Sequence, residues 1–250
     1  MKKIILENTN IYIRIILSLA FLGHGLVSLN LSDSYTLHYN LVQSINFTDF
    51  STHKIVEFQG YFDIAVSVLL ILNFKIRAVL ICIICYLFLV CISALSLYWN
   101  ITDSIFGIAE CFRRLPWILL SIYLLLDIDG IKKYNLIRIA LSFAFISHGL
   151  ASLGFLGLNQ GHIDLAIQIV SSDNARNFVY FSGITDTIIG IMLLQGIYTK
   201  NVAFIGMIWI LFIVYISFLH GHWILWFRSL GILFFSLFLS CCICCNIVWA

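Results

Sequence analysis

Charge and proline are what this sequence has least of. Charged residues make up 10% of its 250 positions, against roughly 25% in an ordinary soluble domain. That scarcity excludes a water-soluble globular protein. A single proline, Pro116, serves the whole chain, so the helices have few breaks of the kind that often mark the binding sites of transporters. The net charge is only +2, and the basic residues sit at the ends of apolar runs, which leaves no surface for nucleic acid. No flavin, haem or iron–sulfur signature is present, so any electrons would have to come from a partner. What the chain does have is apolar length. Hydrophobic residues reach 62%, mean hydropathy is +1.03, and several runs approach the roughly 20 residues needed to cross a hydrocarbon core.

The chain also says the same thing twice. Ile13 to Leu29 reads IRIILSLAFLGHGLVSL and Ile137 to Leu153 reads IRIALSFAFISHGLASL, with 12 of 17 positions identical at an offset of 124. Apolar identities could recur by composition, but Arg14/Arg138, His24/His148 and Gly25/Gly149 in register could not. A second stretch aligns as well, FQGYFDIAVSVLLIL at 58–72 with FSGITDTIIGIMLLQ at 181–195, matching Gly60/Gly183 and Asp63/Asp186. Further on, Phe112-Arg113 corresponds to Phe227-Arg228. This pattern is that of a tandem duplication, in which polar residues kept in both copies are the leading candidates for function. The mid-chain twin also argues that the first apolar stretch, despite Lys2 and Lys3, is a permanent span rather than a signal peptide.

Hydropathy predicts eight spans, near 10–30, 55–73, 77–99, 112–128, 134–156, 178–196, 200–222 and 224–248. The expected fold is an all-α integral membrane protein, with eight transmembrane helices arranged as two parallel-repeat four-helix bundles. The units are 1–130 and 131–250. Four is an even number, so both units enter the membrane from the same side. With the N-terminus cytoplasmic, nine of the 14 Lys and Arg residues fall on that side, which orients both termini inward. The expected location is a bacterial inner membrane.

That topology gathers the polar residues near the outer surface. His24 and His148 fall about 8 Å below it, and Asp63 and Asp186 about 10–13 Å deep, at about 1.5 Å of rise per residue. Arg113, Arg114 and Arg228 open the fourth and eighth spans at the same face. Ionisable groups inside hydrocarbon are costly and usually pair facing the bundle interior. One outward-opening His/Asp/Arg pocket per bundle is therefore expected. The structural alternative is a salt bridge between Asp63 and Arg113 that fixes helix order, with His24-Gly25 ending a span and the glycine allowing close approach. Arg14 and Arg138 are expected to be interfacial anchors.

After each first span comes a repeated loop, in which His38 matches His162. In HIDLAIQIV the spacing of Ile163, Ala166, Ile167 and Val170 predicts a short interfacial helix, either a lid on the pocket or a plain re-entry element. No metal is expected. Zinc wants three or four converging ligands, and the His220-Gly-His222 pair has no counterpart in the first copy. Cys82-Ile-Ile-Cys85 lies inside a span without a second-copy equivalent, and the terminal Cys241-Cys242-Ile-Cys244-Cys245 reads as small apolar filler.

The repeated residues resemble those of DoxX-like proteins, four-helix membrane units. The pattern has an Arg opening the first helix, His-Gly near its end, an acid in helix two and a basic residue after it. Here these are Arg14, His24-Gly25, Asp63 and Arg77, then Arg138, His148-Gly149, Asp186 and Lys200. The sequence departs from the pattern in using Asp rather than Glu, in keeping the following glycines only as Gly190 and Gly196, and in being double. The resemblance implies a membrane component of redox complexes, akin to the DoxD-type subunit of thiosulfate:quinone oxidoreductase, with no intrinsic cofactor and with a soluble or membrane redox partner. A quinone suits a pocket at this depth, since its tail belongs in hydrocarbon and its ring carbonyls need hydrogen-bond donors. On that reading His24 or His148 donates, an Asp relays protons and an Arg offsets negative charge. A scaffold or assembly factor ranks second and a transporter or receptor for a small solute or lipid third.

Overall fold

The structure is a computed structural model describing residues 2–29, 39, 42–43, 48–100, 105–126, 130–155 and 160–219. Among these residues every regular element is a helix. In chain order they are α1 (Lys2–Ser28), α2 (Asp49–Leu72), α3 (Ile76–Asn100), α4 (Ile105–Leu125), α5 (Gly130–Ser152), α6 (Gln160–Ile169), α7 (Ser172–Gln195) and α8 (Thr199–Leu219). Six of them, α1, α2, α3, α5, α7 and α8, are long and apolar enough over their described residues to cross a membrane. The fourth expected span falls on the helix α4, which carries Arg113, Arg114 and the single proline. The eighth, at 224–248, lies outside the described residues, as do Arg228, His220, His222, His38 and the terminal cysteines.

The second and sixth spans begin about a turn and a half before hydropathy alone placed them. At α2 the reason is polar capping, with the Thr48 hydroxyl accepting from the Ser51 N–H at its N-terminus. Ser171 takes the same extended backbone before α7, where its carbonyl accepts from the Asn174 and Ala175 N–H groups. At the other end both helices close identically. Asn73 (φ 55°) and Gly196 (φ 77°) adopt the left-handed conformation. In each case the next two N–H groups fold back on the last carbonyls: Asn73 to Leu70 and Phe74 to Leu69, Gly196 to Leu193 and Ile197 to Met192. This double closure satisfies carbonyls that a helix end leaves open. Lys75 and Tyr198, two residues further on, both take positive φ. The same turn thus serves both halves of the chain.

In the first half the long helices form a ring, α1 against α2 and α4, and α3 against α2 and α4. In the second half α5 packs on α7 and α7 on α8, while α4 packs on α5 and joins the halves. One apolar core runs through both, from Ile13, Leu17 and Leu80 to Leu141, Leu193 and Ala203. The outer surface is also apolar, with Phe58, Ile71, Leu89, Ile92, Phe181 and Ile205 all more than half exposed. Among the residues buried instead are Ser18, Ser67, Asp63, Ser142 and Asp186. Polar groups inside and hydrocarbon outside is the arrangement a lipid solvent demands, because lipid offers no hydrogen bonds.

Candidate functional site

Two helix crossings build the site, and glycine sets both. At the crossing of α1 and α2, a Cβ added to Gly25 would lie 2.9 Å from the Gly60 carbonyl oxygen, and one added to Gly60 would lie 3.0 Å from the Gly25 oxygen. At α5 and α7 the reciprocal distances are 2.8 Å from Gly149 to the Gly183 oxygen and 2.9 Å from Gly183 to the Gly149 oxygen. Small residues on facing helices let the backbones touch. The histidine one position before each α1 or α5 glycine, and the aspartate three positions after each α2 or α7 glycine, are thereby brought within reach.

Both pairs form. His24 Nδ1 lies 2.6 Å from Asp63 Oδ2, and His148 Nδ1 lies 2.7 Å from Asp186 Oδ2. Asp63 is completely buried and His24 nearly so. The partner of Asp63 is therefore His24, while Arg114, buried on α4, lies within electrostatic reach of it. Arg113, the neighbour expected to bridge to Asp63, is only partly buried. The structure brings together His24, Asp63 and Arg114 in the first half and His148 and Asp186 in the second.

The second carboxylate oxygen of each pair meets the third helix of its half. Trp209 Nε1–H on α8 donates to Asp186 Oδ1 at 2.8 Å. Tyr86 on α3 occupies the corresponding place beside Asp63, but its hydroxyl and Asp63 Oδ1 complete no hydrogen bond of ordinary geometry. Sequence reasoning missed both residues. The signal was available, because carrying the 123-residue register of Asp63/Asp186 forward one helix sets Tyr86 opposite Trp209.

The two pairs differ in access. The His24 side chain is 16% exposed, whereas that of His148 is 47% exposed. The short helix expected over HIDLAIQIV is present as α6. Ala166 seats it on Ala175 and Val179 of α7, with Ile163, Val170 and Phe178 around them. It carries His162 to the pair: the His162 ring centre stands 4.7 Å from that of His148, and Ser152 Oγ lies 3.0 Å from His162 Nδ1. An aromatic series continues outward from Trp209, stacked on Phe212 and edge-on to Phe181.

Arg138 is a cap rather than a simple interfacial anchor. Its guanidinium donates to the Leu193 and Leu194 carbonyls at the end of α7, where cations are favoured by the helix dipole. Arg138→Ala should lower stability in detergent by about 1.5–3 kcal/mol, the range for a hydrogen bond to a charged group. An unfolding midpoint unmoved by the change would show the contact to be idle.

These features define a multi-pass integral membrane protein of apolar helices, with a His–Asp pair locked into each of two glycine crossings. Residues 134–221, from α5 to the end of α8, match the family model described as DoxX, and the chain is DoxX-like over that stretch. No curated protein and no solved structure matches the chain. Among the described residues no group of three or more His, Cys, Asp or Glu side chains could hold a metal ion.

Proposed function

We propose that the chain is a tandem pair of DoxX-like units, residues 1–130 and 131–250. On this reading eight spans cross a bacterial inner membrane with both termini cytoplasmic, and the protein is a redox-associated subunit. Its outward-facing pockets, His24, Asp63, Arg113 and Arg114 in one unit and His148, Asp186 and Arg228 in the other, bind the headgroup of a quinone, and an electron-carrying partner supplies the electrons.

The observation that carries this reading is the His148–Asp186 pair, a half-exposed imidazole held by a buried carboxylate. The chemistry suits a ring carbonyl. With Nδ1 held by Asp186 Oδ2, the ring is fixed in orientation, and an imidazolium formed there donates to a carbonyl through Nε2–H. Asp186 is fixed in turn by Trp209, so a proton can pass between His148 and the carboxylate without either group moving. A quinone, when bound, supplies the electron and proton acceptor that the chain itself lacks.

The test is mass spectrometry of the organic extract from gently purified protein, comparing wild type with the Asp63→Asn, Asp186→Asn double variant, both checked for folding. Stoichiometric quinone in wild type, lost from the folded variant, is the expected result. Its absence from both would place the scaffold reading first. That second reading has its own support in the first pair, since a fully buried Asp63 against a nearly buried His24 suits a lock between helices better than a ligand site.

A further inference from the structure

In the first half of the chain the buried carboxylate stands between two groups that can each take up and give up a proton. Asp63 Oδ2 holds His24 Nδ1 at 2.6 Å, and Tyr86 of α3 stands beside the same carboxylate. Asp63 is fully buried, and its Oδ1 atom and the Tyr86 hydroxyl are both buried without completing a hydrogen bond. The side chain of Gln59, one turn before Asp63 on α2, lies within reach of that hydroxyl. Gln59, Tyr86, Asp63 and His24 thus form a polar line that crosses three helices.

The second half breaks this line at one point. Trp209 takes the position of Tyr86, and its Nε1–H donates to Asp186 Oδ1 at 2.8 Å. An indole N–H is a donor only, whereas a phenol both donates and accepts. Trp209 therefore holds its carboxylate and passes nothing on, while Tyr86 can receive a proton on its oxygen as it releases its own. The phenol is locked to neither neighbour, so its O–H is able to turn from one to the other. The surroundings differ in the same sense. Thr52 and Ser67, buried on α2 with Asp63, have Ala175 and Gly190 as their counterparts on α7, and Ser67 Oγ lies 2.7 Å from Ser18 Oγ of α1. Chains of ionisable and polar groups inside a bundle of spans commonly mark proton relays.

We propose that the first half holds a proton relay, Gln59–Tyr86–Asp63–His24, in which Tyr86 delivers protons to the buried pair. With His24 neutral and accepting at Nδ1, an incoming proton binds the phenol oxygen as the phenol passes its own proton to the carboxylate. The carboxylate then gives a proton to His24 Nδ1. One proton enters, one reaches the imidazole, and Tyr86 and Asp63 end as they began. The guanidinium of Arg114, also within electrostatic reach of Asp63, keeps its protons throughout and takes no part in the transfer. The relay gives the two pairs different work, since the indole that fixes Asp186 closes the same route in the second half. It requires no quinone.

Proton exchange between bulk water and His24 tests this, read by NMR on full-length protein with isotope-labelled histidine in lipid nanodiscs. The His24 signal is identified by its loss in His24→Gln. Tyr86→Phe keeps the ring, removes the hydroxyl, and is expected to slow exchange at His24 about 10²-fold, the lower end of what a positioned proton-transfer group contributes. Tyr86→Trp, which copies the second half, is expected to slow it in the same way. Exchange at His148, whose side chain is 47% exposed, is expected to stay unchanged in both variants and serves as the check on folding. Unchanged exchange at His24 in the two variants overturns the proposal. So does faster exchange, because the loss of a merely structural contact would loosen the pair and admit water. The exchange is read without quinone, so its outcome stands apart from that of the extraction experiment.

Discussion

Gly149→Ala should lower the stability of the protein by about 3 kcal/mol, the upper part of the range for forcing an extra methyl into a packed interior. The added Cβ would stand 2.8 Å from both the Gly183 carbonyl oxygen and the Thr187 backbone nitrogen. Backbone atoms cannot rotate away, so α5 and α7 must part. Parting them also lengthens the bond from His148 to Asp186, because the glycine and the histidine are adjacent. Gly206→Ala is the internal comparison. Its Cβ would meet the tip of the Phe145 ring at 2.8 Å, and a ring can swing, so a loss of about 1 kcal/mol is expected there. Chemical unfolding in detergent reads both. Equal losses at the two positions would mean that the close approach at Gly149 does not hold the crossing together.

Asp63→Ala is the second large effect, an expected loss of about 3–5 kcal/mol, the cost of removing one partner of a buried ionisable pair. The change strands His24, only 16% exposed, with no water to replace the carboxylate. Asp186→Ala should cost less, because His148 is 47% exposed and solvent or lipid headgroups can reach it. Adding His24→Ala to Asp63→Ala should recover part of the loss, since the stranded group is then gone. A double variant whose loss equals the sum of the two single losses would show that the pair is uncoupled and that burial alone explains the single effects.

The contrast between these two aspartates shows where sequence reading stops. Asp63 and Asp186 align, as do His24 and His148, and in one dimension they are the same residues. Yet the two histidines differ in exposure, 16% against 47%, and α6 sets the ring of His162 beside that of His148. The donors to the second carboxylate oxygen are also a matter of packing. Tyr86 and Trp209 share a register position, yet only the indole N–H completes its hydrogen bond. The ends of α2 and α7 stood closer to prediction, displaced chiefly where Thr48 and Ser171 extend the helices beyond the apolar run.

The sequence by itself determined the class of this protein and which polar residues recur in its apolar spans. Apolar length, scarce charge and polar residues recurring in register are one-dimensional properties, and the solvation cost of charge in hydrocarbon turns them into a statement about membranes and buried pairs. Tertiary structure alone decided which partner each aspartate takes, how open each pair is, and that His162 meets His148. Those outcomes depend on distances between helices of a few ångströms. They are set by glycines whose missing side chains let backbones touch, and the period of a hydrophobic pattern carries no record of such contact.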